Sequence, residues 1–84
     1  PQVLVTRWFI TADATYEFHQ HEGVEYCIIY EGEMRLVIGD GEEKVYKASE
    51  IAVIPPMIPH KGYFPVHTKA VTITIPPEEK YASR

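Results

Sequence analysis

The chain carries one cysteine, Cys27, so no internal disulfide can staple it. It has no apolar run near the roughly 18 residues that a membrane-crossing helix needs, which excludes a helical span. Its eight lysines and arginines stand singly and are outnumbered by twelve acidic residues, for a net charge of −4. No basic stripe exists to neutralise phosphates, so nucleic acid is not an expected partner. No signal-peptide pattern opens the chain. That and the missing disulfides favour the cytoplasm, although the sequence starts at Pro1 rather than methionine and a leader can precede it. Helical periodicity is missing as well: no stretch repeats apolar residues at the spacing of one helix face.

What the chain does have is a series of short β-branched and aromatic runs, parted by glycine, proline and acidic residues. Strands are expected at Val3 to Ile10, Thr15 to His21, Val24 to Tyr30, Glu33 to Ile38, Glu42 to Lys47, Ile51 to Ile54, His60 to Phe64 and Ala70 to Ile75. Gly39-Asp40-Gly41 is a hairpin signal, because Asp-Gly supplies the positive φ of a tight turn. Pro55 to Pro59 holds three prolines in five residues and cannot be a central strand. The 84 residues make one domain, with a strand-rich body over 2–75 and a polar, loosely ordered tail over 76–84. The expected class is all-β, an antiparallel sandwich or barrel with almost no helix. A body this small buries a modest core and often leans on a metal or a second chain.

Three of the four histidines and one glutamate fall into two clusters: His19-Gln20-His21 with Glu25, and His60 after the proline-rich turn. Residues two apart on a strand share a face, so His19 and His21 project together and Gln20 points away. A neighbouring antiparallel strand can bring Glu25 beside them. The prolines before His60 limit the entropy lost in placing it. Three imidazoles and a carboxylate suit a divalent first-row metal and leave one or two positions open for water, oxygen or substrate.

These residues resemble the cupin family. The family's first motif reads His-x-His, three residues, Glu, six residues, Gly, and His19, His21, Glu25 and Gly32 match it without a gap. Its second motif reads Gly, five residues, Pro-x-Gly, two residues, His. Ser49, Pro55, Met57 and His60 stand at those positions, so the proline and histidine match and both glycines are replaced. The family's trailing asparagine is here Phe64. The resemblance covers Thr15 to Ile75. It implies a jelly-roll β-barrel in which His19, His21, Glu25 and His60 hold one divalent transition metal: Mn, Fe, Ni, Zn, Cu or Co. It also implies a homodimer, with strand exchange near the N-terminus for which Val3 to Ile10 is the natural element.

Other residues carry less. Cys27 shares the face of Glu25 and reads as a small buried hydrophobe rather than a reactive thiol, since no charge partner activates it. Arg35 can in principle grip a carboxylate but reads as a solvated strand residue. His67 falls in a loop and has no assigned role. One of Tyr63 and Phe64 should face the interior. Tyr16 and Phe18 lie opposite His19 and His21, and Tyr26, Ile28 and Tyr30 opposite Glu25 and Cys27, so both ligand strands are apolar on two faces. A second copy of the chain is expected to cover the outer one.

Two functions fit. One is a metal-dependent enzyme of the dioxygenase, isomerase or decarboxylase class, acting on a small oxygenated molecule; no separate catalytic acid or base stands out. The alternative is a non-catalytic module that binds or senses a small ligand. Arg35, Glu17 and Glu33 are the few polar residues that could face the cavity besides the four ligands, which slightly favours a small or hydrophobic substrate, or none.

Overall fold

A computed structural model describes residues 2–77, all of them in strands, turns or extended connections. Eight strands follow one another: β1 Leu4–Ile10, β2 Ala14–His19, β3 Val24–Glu31, β4 Glu33–Ile38, β5 Lys44–Lys47, β6 Ile51–Ile54, β7 His60–Phe64 and β8 Thr68–Ile75. They form two antiparallel four-stranded sheets, ordered β1-β8-β3-β6 and β2-β7-β4-β5. This order fits a jelly roll: apart from the β4–β5 hairpin, chain neighbours fall in opposite sheets. The expected tail falls, beyond residue 77, outside the described residues. Among those residues no helix is long and apolar enough to cross a membrane.

Period-two patterning explains which face each strand buries. In β8, Thr68, Ala70, Thr72 and Thr74 are buried while the alternating Lys69, Val71, Ile73 and Ile75 are only partly covered. In β3 the inward positions are Glu25, Cys27 and Ile29, and their partners on β8 are Thr74, Thr72 and Ala70. The fully apolar part of the interior lies at the Ile29 end of that row. There Ile29, Ala52, Met34, Leu36, Phe64 and Ala70 pack together. The polar end of the same row, at Glu25, faces the histidines.

The strand limits differ from expectation in informative places. β2 stops at His19 rather than His21, because His21 leaves the ladder: its carbonyl accepts the amide of Met57 (2.8 Å) and its ring turns back on Gly23. β8 begins two residues early, at Thr68, whose hydroxyl sits against the Val66 carbonyl (2.9 Å) and the Glu33 carbonyl (3.1 Å). The turn at Gly39–Gly41 forms as expected, with Gly39 at φ 56° and the Gly41 amide on the Ile38 carbonyl (2.9 Å).

Three turns keep a left-handed backbone without glycine, at Asp13 (φ 69°) and at two further positions. Ser49 has φ 77° and Met57 φ 59°, the two positions where the cupin motif has glycine. Each is tied to a strand or ligand segment: the Ser49 amide donates to the Ile29 carbonyl (2.7 Å) and the Met57 amide to that of His21. Gly32 keeps both its identity and its reason. It has φ 96°, and a Cβ there would lie 2.5 Å from the His67 carbonyl oxygen and from Thr68 Oγ1.

β1 pairs with β8 of the same chain over seven residue pairs, from Leu4 opposite Thr74 to Ile10 opposite Thr68. Trp8 points inward from it and donates its indole N–H to Thr72 Oγ1 (2.9 Å).

Candidate metal centre

His60 opens β7 and pairs with His19 at the end of β2 on one side and Ile38 on β4 on the other. Glu25 is the second residue of β3, on the facing sheet. His21 sits in the short connection between β2 and β3 and bridges the two. The donor atoms of His21, Glu25 and His60 lie within 4.8 Å of one another. His19 stands outside that close group on the exposed side, its ring centroid 4.3 Å from that of His60 and 6.2 Å from that of His21.

The hydrogen bonds set the chemistry of the rings. Nδ1 of His19 donates to the Glu17 carbonyl (2.7 Å), Nδ1 of His21 to the Gly23 carbonyl (2.9 Å) and Nδ1 of His60 to the Ile58 carbonyl (3.1 Å). A carbonyl oxygen only accepts, so in each ring the proton belongs on Nδ1 and the lone pair on Nε2. Anchoring one ring nitrogen to a backbone carbonyl is how metal-ligating histidines are oriented. Two further features fit a cation at this point. Nε2 of His60 is buried and has no partner among the described residues. Nε2 of His21 lies 2.9 Å from Glu25 Oε1, so with Nδ1 already donating, the ring meets an oxygen acceptor on both sides. A second proton or a cation is needed to satisfy both.

Burial holds the pKa of His60 below the ordinary imidazole range, against the Ile58 carbonyl, which raises it; His19 and His21 lower it further. A ring kept neutral is a ring available as a ligand. Cys27 lies deeper, and burial, helped by the charge of Glu25, pushes its thiol up to about 12. Its Sγ packs 4.0 Å from Met34 Sδ. It is the buried hydrophobe the sequence suggested.

The centre sits in the wall of a cavity of about 130 Å³ that runs between the two sheets. The sequence missed several of its lining residues. Tyr16 was expected opposite His19, yet both border the cavity. The reason is a register shift in β2: Tyr16 pairs with Gly62 and His19 with His60, three residues against two. Tyr16 thereby turns inward and meets Phe64 edge-on at 5.7 Å. Phe18 stays outside, 53% exposed, against Lys61. Gln20 also borders the cavity rather than pointing away, because strand alternation ends at His19. The threonines of β8, legible as an alternating small polar set, contribute Thr72 and Thr74. Of Tyr63 and Phe64, Phe64 faces in and Tyr63 donates outward to Asp13 (2.9 Å). Arg35, Glu17 and Glu33 do not border the cavity: Arg35 pairs with Glu33 (2.8 Å), and Glu17 lies near Lys61 (3.8 Å). His67 accepts the Ala12 amide (3.3 Å) at the far end of β1.

Comparison with known proteins agrees with this architecture. A search of curated proteins finds no sequence match. Among solved structures, an RmlC-like cupin from Shewanella frigidimarina superposes with a TM-score of 0.86 at 22% identity, covering 94% of this chain and 70% of its own. KdgF from Halomonas superposes at 0.85 with 16% identity, covering 95% and 75%. Bacillus subtilis oxalate decarboxylase, a protein with Mn(II) centres, superposes at 0.82 with 15% identity, covering 93% of this chain and 22% of its own. At these identities the likeness is one of fold. The family model for the cupin domain, Cupin_2, matches residues 7–76, from within β1 to just past β8, and the chain belongs to the cupin family.

Proposed function

We propose that the protein is a metal-dependent cupin in which His19, His21, Glu25 and His60 hold one divalent transition ion, drawn from Mn, Fe, Ni, Zn, Cu or Co. We propose that it acts there on a small oxygenated molecule, as a dioxygenase, isomerase or decarboxylase. The observation that carries this reading is the close set of donor atoms of His21, Glu25 and His60, supported by the Nδ1 anchoring of all three histidines, which leaves Nε2 as the nitrogen each would offer a metal. His19 completes the set from the exposed side, beside His60.

A bound divalent ion supplies Lewis-acid polarisation of a substrate oxygen. The chain's own residues do the rest. Glu25 brings a carboxylate to the cavity wall and is the group placed to take a proton from a bound substrate. Trp8, Leu36 and Phe64 give the cavity wall apolar surface. The similarity to KdgF, to oxalate decarboxylase and to the lyase DddQ of Ruegeria pomeroyi supports a small-molecule substrate. One observation favours the non-catalytic alternative, a ligand-sensing module. Beyond the four proposed ligands, the titratable groups bordering the cavity are Tyr16 and the un-ionised Cys27, so no second acid or base stands ready.

A homodimer belongs to the same proposal. The outer face of the β1-β8-β3-β6 sheet carries Val5, Ile73, Tyr26 and Val53 in one cross-strand row and Arg7, Val71, Ile28 and Ile51 in the next. Val5, Ile51 and Val53 are each more than half exposed. A second copy of this face would cover it. A cytoplasmic setting suits the single free cysteine.

The test of the metal site is reloading after chelation. The proposal predicts about one equivalent of ion per chain for the native sequence and none for His60→Ala, with Glu25→Gln intermediate. Equal uptake by all three would remove the assignment.

A further inference from the structure

The cavity wall has one polar end. Around His21, Glu25 and His60 it is mostly polar, with Leu4 and Ile54 in the cross-strand row of Glu25; away from them it is built from Trp8, Ile10, Met34, Leu36 and Phe64. No lysine or arginine borders it. The threonine hydroxyls that do, on Thr6, Thr72 and Thr74, lie along the β1–β8 side, and Thr72 already accepts the Trp8 indole N–H; Tyr16 adds one phenol from β2. Thr74 is the one set directly beside Glu25 in the β3–β8 register. At about 130 Å³ the space approaches the roughly 150 Å³ of an apolar cavity known to take up benzene, so it suits a body of about one six-membered ring.

We infer that the ligand of this cavity is a ring-sized molecule polar at one end only: an apolar body against Trp8, Leu36 and Phe64, and a single hydroxyl or carbonyl oxygen at the His21–Glu25–His60 end, beside Thr74. The inference rests on the proposed site and narrows its substrate class. A second carboxylate or a phosphate at the far end would be buried without a cation, and burying an unpaired charge is among the costliest events in a protein interior. A polyol would lose its water for a wall that returns few hydrogen bonds. Dicarboxylates, sugar phosphates and sugars are therefore outside the class, and alicyclic or aromatic alcohols and ketones are inside it.

Trp8 makes the test direct, since it is the chain's single tryptophan and borders the cavity. Tryptophan fluorescence of the full chain is titrated with three molecules built on one ring: cyclohexanol, 4-hydroxycyclohexanecarboxylate and inositol. Metal content is measured on the same preparation. Saturable binding is expected for cyclohexanol, and at least about tenfold weaker binding for the other two, given the cost of an unpaired charge or unsatisfied hydroxyls. Ala70→Leu, which fills the inner end, should abolish the cyclohexanol signal. Should that variant not fold, nuclear Overhauser contacts from cyclohexanol to the Trp8 and Phe64 rings in the native sequence locate the ligand instead. Binding of the carboxylate or of inositol as tight as that of cyclohexanol overturns the inference, as does metal-loaded protein that ignores cyclohexanol. Cyclohexanol binding in a protein that takes up no metal would leave the cavity assignment standing and remove the metal reading.

Discussion

Nε2 of His21 stands 2.9 Å from Oε1 of Glu25, while its Nδ1 stands 2.9 Å from the carbonyl of Gly23. One ring is thus held between two oxygen acceptors, its side chain 9% exposed and that of Glu25 18%. In water such an arrangement would relax; here the Met57 amide on the His21 carbonyl and the strand register of Glu25 hold it. The fold spends rigidity on keeping donor atoms close together, the preorganisation that a cation site requires.

His60 gives a pH prediction for the metal-free protein. Its folded pKa lies below the ordinary 6.5, chiefly through burial. Above 6.5 the ring is neutral in both folded and unfolded chains and contributes no pH dependence. As pH falls below that value the unfolded chain takes up the proton first, so stability drops on acidification. Denaturant midpoints of chelator-stripped protein should fall between neutral and mildly acid pH, and His60→Phe should flatten that part of the profile.

The left-handed turns at the two motif positions that lack glycine predict stabilising substitutions. Ser49 and Met57 hold positive φ, which costs a side-chain-bearing residue about 1 kcal/mol or more. Ser49→Gly and Met57→Gly should each raise stability by about 0.5–1 kcal/mol after the extra unfolded-state entropy of glycine is charged. Gly32→Ala should do the reverse by at least about 1 kcal/mol, because its φ of 96° and the His67 carbonyl both reject a Cβ. Urea denaturation of the three variants checks the signs.

Cys27 should be inert. With its thiol pushed up to about 12, almost no thiolate exists at neutral pH. Alkylation by iodoacetamide should track global unfolding, becoming rapid only in denaturant. Fast modification of folded protein would show that the thiol is reachable and ionised.

The apolar outer sheet face predicts self-association. Val53→Glu and Tyr26→Lys each place a charge in the row that runs from Val5 through Ile73 to Tyr26 and Val53. On a two-fold interface each substitution enters twice, and like charges facing one another cost several kcal/mol. Light scattering should report a dimer for the native sequence and a monomer for either variant. A native monomer at micromolar concentration would contradict the reading.

Much of this was legible from the residues. The β-branched and aromatic runs at Val24 to Tyr30 and Ala70 to Ile75 mark strands, and the spacing of His19, His21, Glu25, Gly32 and His60 carries the family resemblance. The inward turn of Tyr16 was not legible. A register shift depends on how β2 meets β7, and no residue between Tyr16 and His19 is a glycine or proline that would mark it. The motif's glycine positions pointed to Ser49 and Met57, but that both keep a left-handed backbone without glycine was not legible: hydrogen bonds to distant parts of the chain, not local preference, hold them. The role of Trp8 as cavity wall rather than surface residue emerged only once β1 was paired with β8.

If His19, His21, Glu25 and His60 hold an ion, elemental analysis of protein purified without chelator or added metal should find it. The expected result is roughly one equivalent per chain of a single first-row transition metal, lost in His60→Ala. Protein that is empty as purified, and that takes up none of these ions when they are offered, would contradict it.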